Sequence, residues 1–477
     1  MSSSLRNKAS TGVIWSAIDR FSSQGIQFLV MLIMARLLTP KDYGIVGMLS
    51  VFIAISTVIV DSGFGKALIR KKDLKDEDNS TVFFSNLIIA ILLYSALFFC
   101  APYIAKFYNT TELVSVTRVL CLLIVFNSLA IVPKAIFTRS LDFKTQAKAS
   151  LLSAIISGTI GVTMALKGFS YWALVFQLLS NSVISAVLIW VLSRWKPRLF
   201  FSRESFRNLF SFGSKLMFAS ITDRIYQNIY PIVIGKVFSA EVLGYYSRAH
   251  NFSDFPSSNF TGIIQHVSYP TMCSLQDDDI LLKSVSKKFL KLSAYVIFPI
   301  MIGMVCLAYP MVVVIIGKQW AFTSELLQII SFQMIWYPIN AINVNILQAK
   351  GRSDYYLYAE IVKKTLSLLI VLGTIPFGIK IMCFGAVAAS ILEMFINTYL
   401  TRKVLNYGLM EQLKDLFPII LLTMTMAISL VVINIIVSSI YLRLIIGVSV
   451  GVAVYLGISF LLHYEEMADI KKIIFKQ

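Results

Sequence analysis

The chain alternates long apolar runs, each near 20 residues, with short polar stretches that hold most of its charge. As an α-helix, a run of that length matches the hydrocarbon thickness of a bilayer. The pattern predicts fourteen spans, at roughly 10–35, 44–68, 82–105, 114–138, 149–166, 170–193, 208–235, 243–270, 289–316, 323–348, 355–377, 381–401, 416–437 and 441–462. The first run follows a polar, basic start, "MSSSLRNKAS", without a small-residue cleavage site. It is expected to stay in the protein and not to leave as a signal peptide.

Two runs carry the same polar interruption, "AIDRFSSQ" at 17–24 and "ITDRIYQN" at 221–228. Setting Asp19-Arg20 on Asp223-Arg224, with four extra residues in the first copy, brings Arg36 onto Lys236, Thr39 onto Ser239 and Gly44 onto Gly244. A weaker echo pairs "RSLDF" (139–143) with "GRSDYY" (351–356). Spans 1–6 and 7–12 thus read as two copies of one unit. Six is even, so both copies enter from the same side, as parallel repeats about an axis along the membrane normal. The expected architecture is an all-α integral membrane protein of about fourteen transmembrane helices. A lobe at 1–193 and a lobe at 208–402 face a central cavity. The linker at 194–207 is rich in Arg and Phe, which suits a helix lying at the inner interface. Residues 403–477 add two further spans and a cytoplasmic tail. Locally, "TPKD" predicts a helix start with Thr39 as N-cap, Pro40 at the first position and Asp42 closing a capping box; Ser239 caps the equivalent start.

Composition agrees with burial in lipid. Hydrophobic residues make up 57% of the chain and charged ones 14%, with a mean hydropathy of +0.76, where a soluble protein would be about a quarter charged. The net charge of +18 would suggest nucleic acid in a soluble protein. Here, with the N-terminus placed in the cytoplasm, the inner connections hold 26 Lys and Arg and the outer ones 8. The excess therefore reports topology, with both termini cytoplasmic, and no nucleic-acid partner is expected. The five cysteines stand singly, four of them in apolar runs, as small buried hydrophobes do.

Charges at depth are the candidate chemistry. Arg20 and Arg224 each lie about 18 Å from a basic flank at about 1.5 Å per residue, near mid-membrane. An Arg there costs about 2.5–3.5 kcal/mol on insertion scales, so it should face protein or water. Ser16, Arg20, Ser23 and Gln27 form a polar stripe on span 1; Ser220, Asp223 or Arg224, and Gln227 do so on span 7. Each arginine either lines a lumen or glues helices together. Asp61, Glu325 and Glu393 either serve transport or act as salt-bridge partners between helices. Lys66, Arg118, Lys215 and Lys364 lie where their side chains could snorkel to a span end. "YSRAHNFSDF" (246–255), with Arg248 and Asp254, reads as an interfacial aromatic belt or as sugar contact.

Enzyme motifs are missing: there is no metalloprotease, Walker A or dinucleotide fingerprint, and no Ser-His-Asp grouping. "QDDDI" (276–280) reads as acids starting a helix, not as a metal site. No enzyme activity, cofactor or metal is expected. Without a nucleotide site, transport would draw on an ion gradient, the membrane potential or the substrate gradient.

The stretches "ARLLTPKDYGIVGMLSVF", "DSGFGKALIRKKDLKDEDNSTVFF" and "VPKAIFTRSLDFKTQAKAS" resemble the bacterial polysaccharide flippases of the Wzx type. The likeness is to the colanic and teichuronic acid exporter branch of the multidrug/oligosaccharidyl-lipid/polysaccharide exporter superfamily. "SAEVLGYYSRA" and "LQAKGRSDYY" match more loosely. The resemblance implies a fourteen-helix V-shaped fold in the cytoplasmic membrane. It implies an undecaprenyl-diphosphate-linked oligosaccharide as cargo, moved from the inner to the outer leaflet by alternating access coupled to H+ or Na+, and polysaccharide polymerase machinery as a partner. On this reading Arg20, Arg224 and Arg248 attract the diphosphate, since guanidinium donors suit phosphate oxygens. Asp19, Asp61, Asp223, Asp254, Glu325 and Glu393 balance charge or carry the coupling ion.

The rivals are a multidrug exporter of the same superfamily, a membrane enzyme of polysaccharide assembly and a scaffold. Central arginines argue against a pocket for organic cations. Connections as short as 194–207 and 271–288 leave an enzyme no extramembrane domain, and the repeat with its polar stripes weighs against a scaffold.

Overall fold

A computed structural model describes residues 22–71 and 73–469. The described residues form helices joined by short turns, without a strand. They run α1 (Ser22–Leu37), α2 (Pro40–Met48), α3 (Ser50–Asp61), α4 (Phe64–Arg70), α5 (Asp76–Tyr108), α6 (Leu113–Leu120) and α7 (Leu122–Arg139). Then come α8 (Phe143–Leu166), α9 (Tyr171–Ser193), α10 (Arg203–Gln227), α11 (Ile229–Val237), α12 (Ala240–Ser274) and α13 (Asp279–Cys306). The chain closes with α14 (Ala308–Ile316), α15 (Ala321–Met334), α16 (Tyr337–Ala349), α17 (Ser353–Thr374), α18 (Ile379–Leu405), α19 (Leu409–Ile436) and α20 (Ile440–Leu461). Among the described residues, nine helical stretches are long and apolar enough to cross a membrane, α2–α4 and α6–α7 each counting as one. The chain divides into two compact units, Met1–Gly244 and Tyr245–Gln477.

In the first unit, α2 starts as its sequence predicts. Thr39 N donates to Asp42 Oδ2 at 2.8 Å and Asp42 N to Thr39 Oγ1 at 3.4 Å, with Pro40 in the first turn. Such a cap satisfies two orphan backbone donors, and its loss costs about 1 kcal/mol. The Ser170 hydroxyl also bonds the Asp42 carboxylate, tying α2 to the start of α9. The hydroxyl of Ser239 caps the equivalent start, accepting from Val242 N at 3.2 Å. Phe64, Leu68, Val82, Phe83, Val132 and Leu209 form a buried cluster joining α4, α5, α7 and α10. Between membrane helices such side chains act by close van der Waals packing, since lipid tails are as apolar as they are.

The linker differs from the interfacial helix expected for 194–207. Residues 194–202 are irregular, and helix begins only at Arg203. Pro197 has no amide proton to give a helix, and neighbouring amides find side-chain acceptors. Arg198 N donates to Ser80 Oγ and Ser202 N to Thr81 Oγ1, both at 3.0 Å. Trp195 stacks edge-on against Phe83, 5.8 Å between centroids. The aromatic residues that read as interfacial are in part packed onto α5.

The glycines aligned by the repeat also meet. A β-carbon on Gly44 would overlap the carbonyl oxygen of Ala240, and one on Gly244 would overlap that of Pro40. The first turns of α2 and α12 cross backbone to backbone, each glycine receiving the start of the other helix. All four residues belong to the first unit.

The second unit packs α13 against α16, α19 and α20 around Leu290, Tyr295, Phe298, Ile342, Leu416 and Met426. Polar pairs are buried among them. Asn343 and Gln412 exchange reciprocal amide hydrogen bonds of 2.9 and 2.8 Å, and Tyr455 OH donates to Tyr295 O at 2.8 Å. Near the start of α13, Lys283 pairs with Glu411 at 2.7 Å and Lys287 with Asp415 at 2.5 Å. Lys288 reaches Asp469 at 2.8 Å and Lys291 reaches Glu466 at 2.6 Å, fastening the segment after α20 to this helix. The start of α13 is the acid-led one expected of "QDDDI", with Leu281 N donating to Asp278 Oδ1 at 2.9 Å.

Candidate functional site: a charged cavity in the first unit

The run expected as one span at 44–68 is broken. Helix α3 ends at Asp61, Ser62 and Gly63 take left-handed conformations (φ 45° and 70°), and α4 resumes at Phe64. The break turns Asp61 and Lys66 toward a cavity of about 450 Å³ also walled by α7 and α10. Helix α7 gives it Ile124, Asn127, Ser128, Ile131 and Lys134, one face at helical spacing. Helix α10 adds Leu216, Met217 and Ser220, and α3 adds Thr57.

The fixed chemistry is one carboxylate and two ammonium groups among hydroxyl, amide and aliphatic side chains. Asp61 Oδ1 accepts from Gly65 N at 3.1 Å, so the carboxylate is anchored by the first turn of α4. Ser128 and Thr57 give their hydroxyl protons to Val125 O (2.7 Å) and Ile53 O (2.8 Å), stabilising their own helices. Lys66 and Lys134 bring three donors each. The charged lining sums to one positive charge, which suits an anion whose oxygens the ammonium groups can reach.

Of the residues given a binding or coupling role from the sequence, Asp61 lines this cavity, together with Lys66 and with Ser220 of the span 7 stripe. Asp19 and Arg20 lie outside the described residues. Arg224 is exposed on the last turn of α10, one turn beyond Ser220, and donates from Nη1 to Gln227 Oε1 at 3.2 Å; Asp223 beside it is also exposed. Arg248 is buried on α12 in the second unit. On the same helix Asp254 Oδ2 accepts from Ser258 Oγ at 3.3 Å. Glu325 forms an ion pair with Lys380, joining α15 to α18, while Glu393 is half-buried on α18. Arg118 lies over the Phe98 ring at 4.5 Å.

Lys134, Asn127 and Ser128 were missed, and Lys66 read only as a snorkelling residue. The available signal was a polar stripe at 127, 128 and 134 in an apolar run. It lacks an acid–base pair like Asp-Arg, and one run alone does not reveal that α3 breaks to face it.

In the second unit, a cavity of about 470 Å³ lies between α13, α14, α19 and α20, lined by residues such as Ile300, Met304, Leu430 and Val448. Its wall is almost wholly apolar and suits hydrocarbon, not a charged group.

The family described as polysaccharide biosynthesis protein matches residues 33–325. Teichuronic acid biosynthesis protein TuaB of Bacillus subtilis (strain 168) is 24% identical over 358 residues, 74% of each chain. Lipopolysaccharide biosynthesis protein WzxC of Escherichia coli (strain K12) is 25% identical over 405 residues, 83% of this chain and 81% of the relative. A solved structure of the lipid II flippase MurJ in an inward closed conformation covers 95% of this chain and 100% of its own, at a TM-score of 0.76 and 16% identity. At that identity the likeness to the solved structure speaks for the fold alone.

Proposed function

The chain belongs to the polysaccharide biosynthesis protein family, of the Wzx type and not an enzyme, and from that premise we propose that it flips lipid-linked oligosaccharide repeat units across the bacterial inner membrane. The cargo on this reading is undecaprenyl-diphosphate-linked, and it travels from the inner to the outer leaflet by alternating access coupled to H+ or Na+.

The observation that carries the proposal is the charged cavity of the first unit. A diphosphate with attached sugars cannot cross hydrocarbon unaided, whereas two lysines lining the cavity replace part of its hydration. Asp61 offsets one of the two lysine charges and is the candidate carrier of the coupling proton. The polyprenyl tail can stay in lipid while the headgroup passes. A multidrug exporter selective for organic cations would place acids, not a lysine majority, in such a cavity.

The test is export in cells carrying Lys66→Ala, Lys134→Ala or both as the sole copy. Each lost charge-assisted contact is worth about 1.5–3 kcal/mol, so single variants should lose about tenfold or more in export. The double variant should accumulate diphosphate-linked oligosaccharide on the inner leaflet, with normal protein levels in the membrane. Wild-type surface polymer in the double variant would overturn the role of the cavity. Normal lipid-linked pools and polymer in cells depleted of the whole protein would overturn the flippase reading.

A further inference from the structure

The end of the second unit at which α17 begins and α18 finishes gathers basic and phenolic side chains on its outer surface. Arg352 caps α17, and its guanidinium lies 3.7 Å from the centroid of the Tyr355 ring. Asp354 holds it in place through Nε to Oδ1 at 3.0 Å and Nη2 to Oδ2 at 2.7 Å. From α18, the Lys403 ammonium stands 4.7 Å from the centroid of the Tyr399 ring, and Tyr358 projects from α17 one turn beyond Tyr355. The helices are held together beneath the cluster by Leu347, Ala359 and Leu400, with Tyr355 and Val404 packed against them. Tyr358 and Tyr399 remain 64% and 58% exposed. Further along the same two helices, Ile361, Leu392 and Phe395 are exposed as well.

This is more than an aromatic belt. A belt spreads tyrosines round a protein at headgroup depth, whereas here two basic side chains on adjoining helices each lie against a tyrosine ring, Arg352 on Tyr355 and Lys403 on Tyr399. The motif aligned with it earlier in the chain is used differently: Arg139 of "RSLDF" donates to the backbone oxygens of Leu68 and Lys71, at the end of α4. Asp354 occupies one edge of the Arg352 fork and leaves Nη1 for another acceptor. With Lys403 the cluster carries one net positive charge.

We propose that Arg352, Lys403, Tyr358 and Tyr399 form a binding site for the phosphodiester of an anionic glycerophospholipid of the surrounding leaflet. The phosphate oxygens accept from the guanidinium, the ammonium and the phenol hydroxyls, as charge-assisted hydrogen bonds. One acyl chain runs along Ile361, Leu392 and Phe395. A choline headgroup would bring its own ammonium against Lys403 and is disfavoured. The site lies within the second unit and is independent of the transport reading, because it needs only a bilayer containing anionic lipid.

The experiment is native mass spectrometry of the purified full chain titrated with phosphatidylglycerol or phosphatidylcholine. The wild type should retain one phosphatidylglycerol in preference to phosphatidylcholine. Arg352→Gln/Lys403→Gln should lose that one equivalent, binding weakening about fivefold for each basic side chain removed. Tyr358→Phe/Tyr399→Phe, which keeps the packing, should weaken it in the same direction. The charge-matched Lys144→Gln/Lys148→Gln should bind as the wild type does. Equal loss in that control would reduce the effect to general electrostatics and overturn the proposal. So would a wild type without preference, or a phenol double variant that binds unchanged.

Discussion

At Gly63 two constraints exclude a side chain. Its φ of 70° is left-handed, a conformation that costs an L-residue roughly 1–2 kcal/mol. Added to that, a β-carbon would come within 2.5 Å of the carbonyl oxygen of Gly213, on α10. Neither neighbour is the flexible end of a side chain, so the backbone itself would have to move. Gly63→Ala should destabilise the protein by about 2 kcal/mol or more, read as a lower thermal midpoint in detergent. Gly168, also left-handed but in open space, should tolerate alanine at the strain cost alone; equal losses at the two positions would remove the role given to the α4–α10 crossing. The same residues mark what a sequence conveys at this scale. Thr39, Pro40 and Asp42 were legible because a cap is a local contract among four consecutive residues. Lys134 was not, because its meaning depends on Asp61 and Lys66 arriving from another helix.

Helices are the scale at which buried polar pairs act. Asn343 on α16 and Gln412 on α19 exchange two amide hydrogen bonds, and each also donates to a backbone oxygen, that of Ile339 and that of Tyr407. Asn343→Leu alone leaves the Gln412 amide without its partner and should cost about 1–3 kcal/mol. Asn343→Leu/Gln412→Leu should recover much of that loss, since replacing both partners by apolar groups can be nearly neutral. A double-mutant cycle on thermal stability reads this directly, and strictly additive losses would mean that the pair does not act as a unit. Helix position along the chain was readable from apolar periodicity: the expected spans fall mainly on helix where residues are described, with turns inside them at Leu49, Ser62-Gly63, Cys121, Asn228, Leu307 and Ile335-Trp336. Helix continuity was not. Ser62-Gly63 breaks α3 from α4 for a packing reason, the approach of α10. The linker at 194–202 trades helix for hydrogen bonds to Ser80 and Thr81, which lie more than a hundred residues earlier.

For the whole molecule, the distribution of basic residues makes a prediction of sidedness. If inner connections carry the positive charge, Lys144 faces the cytoplasm and Lys167, at the other end of α8, faces outward. In a chain with its five cysteines replaced, Lys167→Cys should react with a membrane-impermeant maleimide in intact cells, and Lys144→Cys only after permeabilisation. The reverse pattern would invert the proposed direction of transport. The sequence aligned Gly44 with Gly244 as parts of an expected repeat, although nothing in either copy says that Gly44 receives Ala240 and Gly244 receives Pro40. That contact has a consequence in time. Its halves lie about two hundred residues apart in the chain, and a ribosome adding roughly 5–20 residues per second delivers the second some tens of seconds after the first. Until then the groove at Gly44 is unfilled by its own chain, because the start of α12 that enters it has not been made. The newborn first half thus waits in the membrane for the helix that completes it.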